Sequence, residues 1–358
     1  MSTEEPAYIL AQPGPPRPGL EARDRSTLLR PLAGHPVLRF CIRRVAAGVL
    51  TLFVASILIF LATNALPGNV AETVLGKNGS PAQVIHLEHQ LGLNRPLTTR
   101  YLDWLGSAAH LDFGKSAVAV AQSDPQTSVS AMIGTPLRNS LVLAIIAAAL
   151  LIPLAMLTGT IAAVRAGRRS DYLVSYTALV FGALPEFVLG TLLTVVFFSV
   201  LGLLPPVALV PPGTSPLSAG TALILPVATL VGVALAFCAR QVRAGMVETL
   251  GREFVTMARL GGLRERRVLF RYALRNSIAP SIQSFAQALQ YLFGGIIVVE
   301  TLFSYPGIGQ LLVQAVQTRD VTLVQAIALV LAAVYITINI VADLLVVLVV
   351  PKLRTGLR

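Results

Sequence analysis

Apolar residues fall into six long runs, and polar residues gather between them. The runs occupy about 45–66, 139–164, 173–203, 221–239, 277–299 and 322–350. At about 1.5 Å of rise per residue, some 20 residues cross a hydrocarbon core, so each run can span a membrane as a helix. Runs of this length satisfy their backbone polar groups in lipid only as helices. The third and sixth exceed the need and are expected to tilt or protrude. The pattern predicts an all-α polytopic membrane protein with six transmembrane helices. Shorter helical patterns lie at 81–91 and 96–110, the second carrying Tyr101, Leu102, Trp104 and Leu105. The proline-rich, uncharged stretch 204–218 predicts a stiff connection.

Charge supplies the orientation. The chain is 54% hydrophobic and 13% charged, with mean hydropathy +0.73; soluble domains average about 25% charged. A net charge of +11 in a soluble protein would suggest nucleic acid, but here arginines flank apolar spans, so no nucleic-acid partner is expected. Of the 28 basic residues, 22 lie before the first run, in the second-to-third and fourth-to-fifth loops, and after the sixth run. Lys77, Arg95, Arg100, Lys115, Arg138 and Arg319 lie on the other side. Basic loops stay in the cytoplasm, which places both termini there. The first run follows about 44 residues and precedes no convincing cleavage site, so it reads as an uncleaved anchor.

These signals divide the chain into a cytoplasmic N-terminal extension (1–38), a first transmembrane helix (39–66), an extracytoplasmic cap (67–135), a five-helix core (136–352) that includes loop 240–276, and a cytoplasmic tail (353–358). The extension holds Pro6, Pro13, Pro15, Pro16, Pro18, Pro31 and Pro36 and is expected to be largely disordered, with a short interfacial helix at 26–44. Cys41 and Cys238 fall at span ends near the cytoplasm, so no disulfide framework is expected. His86 and His89 flank Glu88 without further ligands; they read as an exposed amphipathic helix, and no metal site is expected.

The fourth-to-fifth loop carries the strongest motif. Phe254-Val255-Thr256-Met257-Ala258-Arg259-Leu260-Gly261-Gly262-Leu263 is followed in order by Glu265, Arg266, Val268, Leu269, Arg271, Ala273, Leu274, Arg275, Asn276 and Pro280. This stretch resembles the coupling loop of ABC-importer permeases of the dipeptide/oligopeptide/nickel branch. Met257, Leu260 and Gly261 depart from that family's usual threonine, alanine and lysine. A short helix closing at Gly262 makes a compact knob, on which Val255, Ala258 and Leu263 could form a small apolar contact surface. The expected ATPase-coupling residues are Glu253, Val255, Ala258, Arg259, Gly262, Leu263, Glu265 and Arg266.

A second stretch, Val298 to Leu312, is similar to the same family's VVETxFSxPGxGxLL pattern. Its Pro306-Gly307 turn, with Glu300, is expected to shape an outer gate. Weaker echoes include Leu91 to Leu97, Leu111 to Ser116, Leu184 to Gly190, Leu223 to Pro226, and Asn339 with Asp343, the last read as structural. Gly114-Lys115-Ser116 mimics the end of a P-loop, but position 109 is alanine rather than the required glycine, so no nucleotide site is read there.

Two signals owe nothing to the resemblance. Gln283, Gln287 and Gln290 lie on one face of the fifth run, with Gly294 beyond them. Such amides in hydrocarbon need partners or a watered cavity; they either line the translocation path or bond between helices. Glu186, after Pro185 in the third run, either meets a substrate ammonium or cation or is a neutral structural glutamate.

The resemblance implies a type I ABC importer fold in the bacterial or archaeal cytoplasmic membrane. It implies half of a heterodimeric pore made with a second homologous permease, two ATP-binding subunits or domains, and an extracytoplasmic substrate-binding protein. ATP and Mg belong to the ATPase partners; this chain has no catalytic site and binds no cofactor. Di- or oligopeptides are the first expected substrates, with nickel or another metal chelate as the alternative. An ion-driven secondary transporter would account for Glu186 and the glutamines but not for the long basic loop. An intramembrane hydrolase lacks a nucleophile–base pair or metal triad in the runs.

Overall fold

The computed structural model describes residues 36–65, 75, 80–90, 92–121, 127–211 and 213–349, without the side chains of 36–37, 278–281 and 348–349. Residues 1–35 and the tail from 350 lie outside the described residues, and with them most of the expected extension and the tail.

Helix α1 (Pro36–Asn64) starts on a proline, which suits a first helical position. Residues 36–44 are helically continuous with the span, because nothing after Pro36 breaks the run; residues 26–35 of the expected interfacial helix lie outside the described residues. Two short helices, α2 (Pro81–Gln90) and α3 (Leu97–Ala109), follow. Helix α4 (Val129–Val164) begins ten residues before the apolar run, where the Ser128 side chain caps it by accepting from the Ala131 amide.

The third run is not one tilted helix. It is α5 (Arg169–Ala183) and α6 (Glu186–Thr194), the latter continuing as a π-helical turn over Val195–Val200, and the two halves are turned by 108°. Pro185 is the cause. Its ring disfavours helical backbone at Leu184, which sits extended at φ −85°, ψ 132°, and it has no N–H to continue the ladder.

Helix α7 (Ile224–Leu250) is entered through a 3₁₀ turn at Pro216–Leu223, capped by Ser215. Helix α8 (Glu253–Leu260), a short turn at Glu265–Arg267 and a π-helical segment at Val268–Leu274 lead into α9 (Arg275–Leu302). Helices α10 (Ile308–Gln317) and α11 (Val321–Val349) complete the described chain. Five of these helices are long and apolar enough to cross a membrane, six when the bent α5–α6 pair counts as one span.

Helix α7 is the centre. It packs most extensively with α4 and α9 and also touches α5 and α6. Its apolar window is 61% buried against 11% for α1, so α1 is peripheral, held chiefly by α11. In lipid such helices associate through close packing and polar contacts. The packing is supplied by Leu143, Leu151, Leu230, Leu292 and Ile296. Arg44 of α1 pairs with Asp343 of α11 at 3.1 Å.

Two polar clamps fasten the ends of the bundle. Near the arginine-rich loops, Arg243 of α7 donates twice to Asp171 of α5, at 2.5 and 2.7 Å. The Asp171 carboxylate, 4% exposed, also accepts from the Gly167 amide. At the opposite face Asp320 caps α11 through the Leu323 amide and receives the Ser116 hydroxyl and Ala117 amide from the 111–121 segment.

Candidate coupling loop and translocation face

The basic loop folds as a helix and a tight turn. Helix α8 ends at Leu260, and Gly262 follows at φ +74°, a conformation that favours glycine. The amides of Gly262 and Leu263 return to the carbonyls of Arg259 and Ala258, closing the knob. Arg259 donates to Glu265 at 2.6 and 3.2 Å, tying the helix to the turn beyond it. That hydrogen bond, aided by the guanidinium charge, holds the Glu265 carboxyl below its ordinary value and raises Arg259.

The apolar surface of this knob differs from the expectation. Val255 is fully buried against its own chain, where α8 meets α7 and the segment leading to α9. Ala258 and Leu263 are half-buried. The outward apolar residues are Phe254, Met257 and Leu260, at 38%, 68% and 77% exposure. Helical spacing explains the exchange: Val255 lies on the inner face and residues three apart from Phe254 lie outward. Glu253 and Arg266 are exposed beside them.

On α9, Gln283 and Gln287 are exposed and Gln290 is half-buried. Tyr291 and Gly294 continue the uncovered face. A cleft of about 290 Å³ opens beside it, lined among others by Gly182, Phe237, Arg240, Gln287 and Tyr291. Half-buried Glu186, in the first turn of α6, interacts with Tyr291 through its side chain. It also sits against Gly295, its Oε1 3.1 Å from where a Cβ would stand. Tyr291 thus brings Glu186 and Gln287 to one region. Gln283 lies one turn away, and Gln290 is not among the cleft's lining residues.

The turn after α9 is a buried polar knot. Glu300 is fully buried; it accepts from the Ser140 hydroxyl at 2.5 Å and the Gly309 amide at 2.7 Å. Ser140 in turn accepts from the Ile308 amide, Asn139 donates to the Pro306 carbonyl, and the Tyr305 hydroxyl donates to the Asn139 carbonyl, each at 2.8 Å. These hydrogen bonds weld 305–309 to α4, although the Asn139 Oδ1 is buried without a partner among the described residues.

Sequence reasoning missed Asn139 and Ser140, Tyr291, the Asp171–Arg243 clamp and the outward face of α8. Asn139-Ser140 was visible as a polar pair opening an apolar run. Arg240 and Arg243 belong to the 22 basic residues that signal orientation, and nothing local in the sequence marks either for a further role.

Residues 152–355 match the family model described as binding-protein-dependent transport system inner membrane component, and residues 37–126 match the N-terminal model of the same kind of membrane component. The chain is 33% identical over 313 residues to a putative peptide transport system permease protein of Brucella abortus (strain 2308), covering 87% of this chain and 98% of that one. It is 35% identical over 320 residues to the glutathione transport system permease protein GsiC of Escherichia coli (strain K12), covering 89% and 99%.

Proposed function

The chain belongs to the binding-protein-dependent transport system inner membrane components, and from that premise we propose that it is one of two permease subunits of an ATP-driven importer of di- or oligopeptides. Membership in a multi-pass ABC transport family supplies the general scheme of ATPase and substrate-binding partners. The observation that carries this chain's own part is the coupling knob, with Phe254, Met257 and Leu260 turned outward on a helix stopped by Gly262.

The finer assignments follow. Both termini and α8 lie in the cytoplasm, on the side holding 22 of the 28 basic residues. The outward apolar triad docks an ATPase, while Arg259–Glu265 and buried Val255 hold the knob rigid so that its displacement moves α7 and α9. The uncovered face of α9 is polar at Gln283 and Gln287, and exposed amides do not face hydrocarbon; they face a homologous second permease across the pore. The Glu300–Pro306–Gly307 knot is a fixed post beside the outer mouth. Substrate arrives from an extracytoplasmic binding protein. ATP and Mg are bound by the ATPases, and this chain carries motion without catalysing a reaction. Peptide is the favoured cargo because the relatives named above are a putative peptide permease and a glutathione permease.

The test is co-purification through a tag on this chain, then reconstitution in proteoliposomes with the binding protein. ATP-dependent accumulation of a peptide is expected. Peptide uptake by the purified chain alone, driven by an ion gradient, would defeat the ABC reading. Uptake of a nickel chelate in place of peptide would move the substrate.

A further inference from the structure

The cleft beside α9 is lined by one cation, Arg240, and a carboxylate, Glu186, stands close to its Tyr291 wall. Arg240 of α7 lines it with Gln287, Tyr291 and Gly182. Glu186 stands four residues past Gly182, and its Oε1 lies 3.1 Å from where a Cβ on Gly295, one turn beyond Tyr291, would stand. Among the described residues neither Arg240 nor Glu186 makes an ion pair, although Asp171–Arg243, Arg252–Glu248 and Arg259–Glu265 all do nearby. Arg240 is exposed and Glu186 half-buried, so both heads are reachable. A cation, a carboxylate, a phenol and an amide on adjoining spans require a watered, non-lipid setting.

The span of the cleft sets a size. Val233 and Arg240 both line it; seven residues apart on one helix, they are separated by about 10 Å. An extended peptide of three residues covers about the same length.

We infer that this cleft is a transit site reading both termini of a free tripeptide-sized substrate. The Arg240 guanidinium receives the C-terminal carboxylate, Glu186 with Tyr291 receives the N-terminal ammonium, and Gln287 meets the backbone between them. A guanidinium offers a donor fork matched to carboxylate, a carboxylate accepts from ammonium, and an amide both donates and accepts. A dipeptide reaches one end of the site at a time. This inference rests on the peptide-importer reading above.

The test uses the tagged complex with its co-purifying partners and its binding protein, reconstituted in proteoliposomes. ATP-driven uptake is measured for trialanine, N-acetyl-trialanine and trialanine amide, with ATPase rate read in parallel. Any preference imposed by the binding protein is common to wild type and variants and cancels when their ratios are compared. Glu186→Gln is expected to lower the trialanine to N-acetyl-trialanine ratio about tenfold while leaving the ratio to the amide unchanged. Arg240→Gln is expected to do the reverse, and Tyr291→Phe to shift the N-terminal ratio more weakly than Glu186→Gln. If Glu186→Gln does not assemble, Glu186→Asp, which keeps the charge on a shorter stem, should shift the same ratio by less. Unchanged ratios in all variants, or an equal fall for all three peptides, would overturn the inference and return these residues to the framework. No ATP-driven uptake of any peptide by the wild-type complex would instead sink the peptide reading.

Discussion

The Glu300 carboxylate occupies the space that a Cβ on Gly307 would need. The two residues meet because the turn after α9 folds back over its own last helical turn, with Ser140 and the Gly309 amide holding the carboxylate in place. Gly307→Ala therefore has to displace a buried, hydrogen-bonded acid. Overpacking of this kind costs about 1–3 kcal/mol, so the purified complex should melt at a lower temperature and assemble in lower yield. A melting temperature equal to wild type would show that the knot is looser than described.

Leu260→Asp places a charge on the most exposed of the three outward apolar residues of α8, at 77% exposure. Among the described residues nothing covers that position, so membrane yield and melting of the isolated permease should stay within about 0.5 kcal/mol of wild type. ATPase co-purification should fall at least about tenfold. Gly262→Asp acts by another route: it strains a left-handed turn and should abolish coupled uptake while the chain still reaches the membrane. Normal co-purification with Leu260→Asp, or normal uptake with Gly262→Asp, would remove the docking role.

Asp171→Asn leaves Arg243 without its carboxylate at the junction of α5 and α7. Removing one partner of a fully buried pair costs about 3–5 kcal/mol. Arg243 is about one-third exposed and recovers some hydration, so a loss of about 2 kcal/mol is expected in thermal unfolding. The exchanged pair, Asp171→Arg with Arg243→Asp, should regain part of it. Equal instability of the single and exchanged variants would mean the clamp depends on local geometry rather than charge.

Leu102→Cys and Met257→Cys test the orientation, since both positions are well exposed, at 65% and 68%. In intact cells a membrane-impermeant maleimide should label position 102 and spare 257, with the reverse pattern in inverted vesicles. Labelling of 257 from outside would invert the whole arrangement.

Periodicity and charge located the helical segments because a bilayer demands long apolar runs and sorts arginines to one side. The coupling loop was legible too, since a glycine after a short polar helix has a local meaning. The break at Pro185 was legible only in part. A proline within an apolar run opens the helix locally, but the 108° turn between the halves depends as well on how α6 packs beside α7 and α9. Val255 turns inward and Met257 outward for a similar reason: composition suggests that apolar residues make contact, but the face they present depends on where α8 is anchored. Glu300 was legible as part of a motif, while its partner Ser140 lies 160 residues earlier in the chain, beyond any local pattern.

The interruption at Leu184–Pro185 has a cost in hydration. Gly182 lies 3.4 Å from Ala236 as measured from an added Cβ, so α5 stops partway along α7 rather than at its end. The last carbonyls of a helix have no partners within it, and hydrocarbon offers none. Those carbonyls therefore call for polar partners at this depth, whether side chains of neighbouring helices or solvent, which an unbroken span would not need.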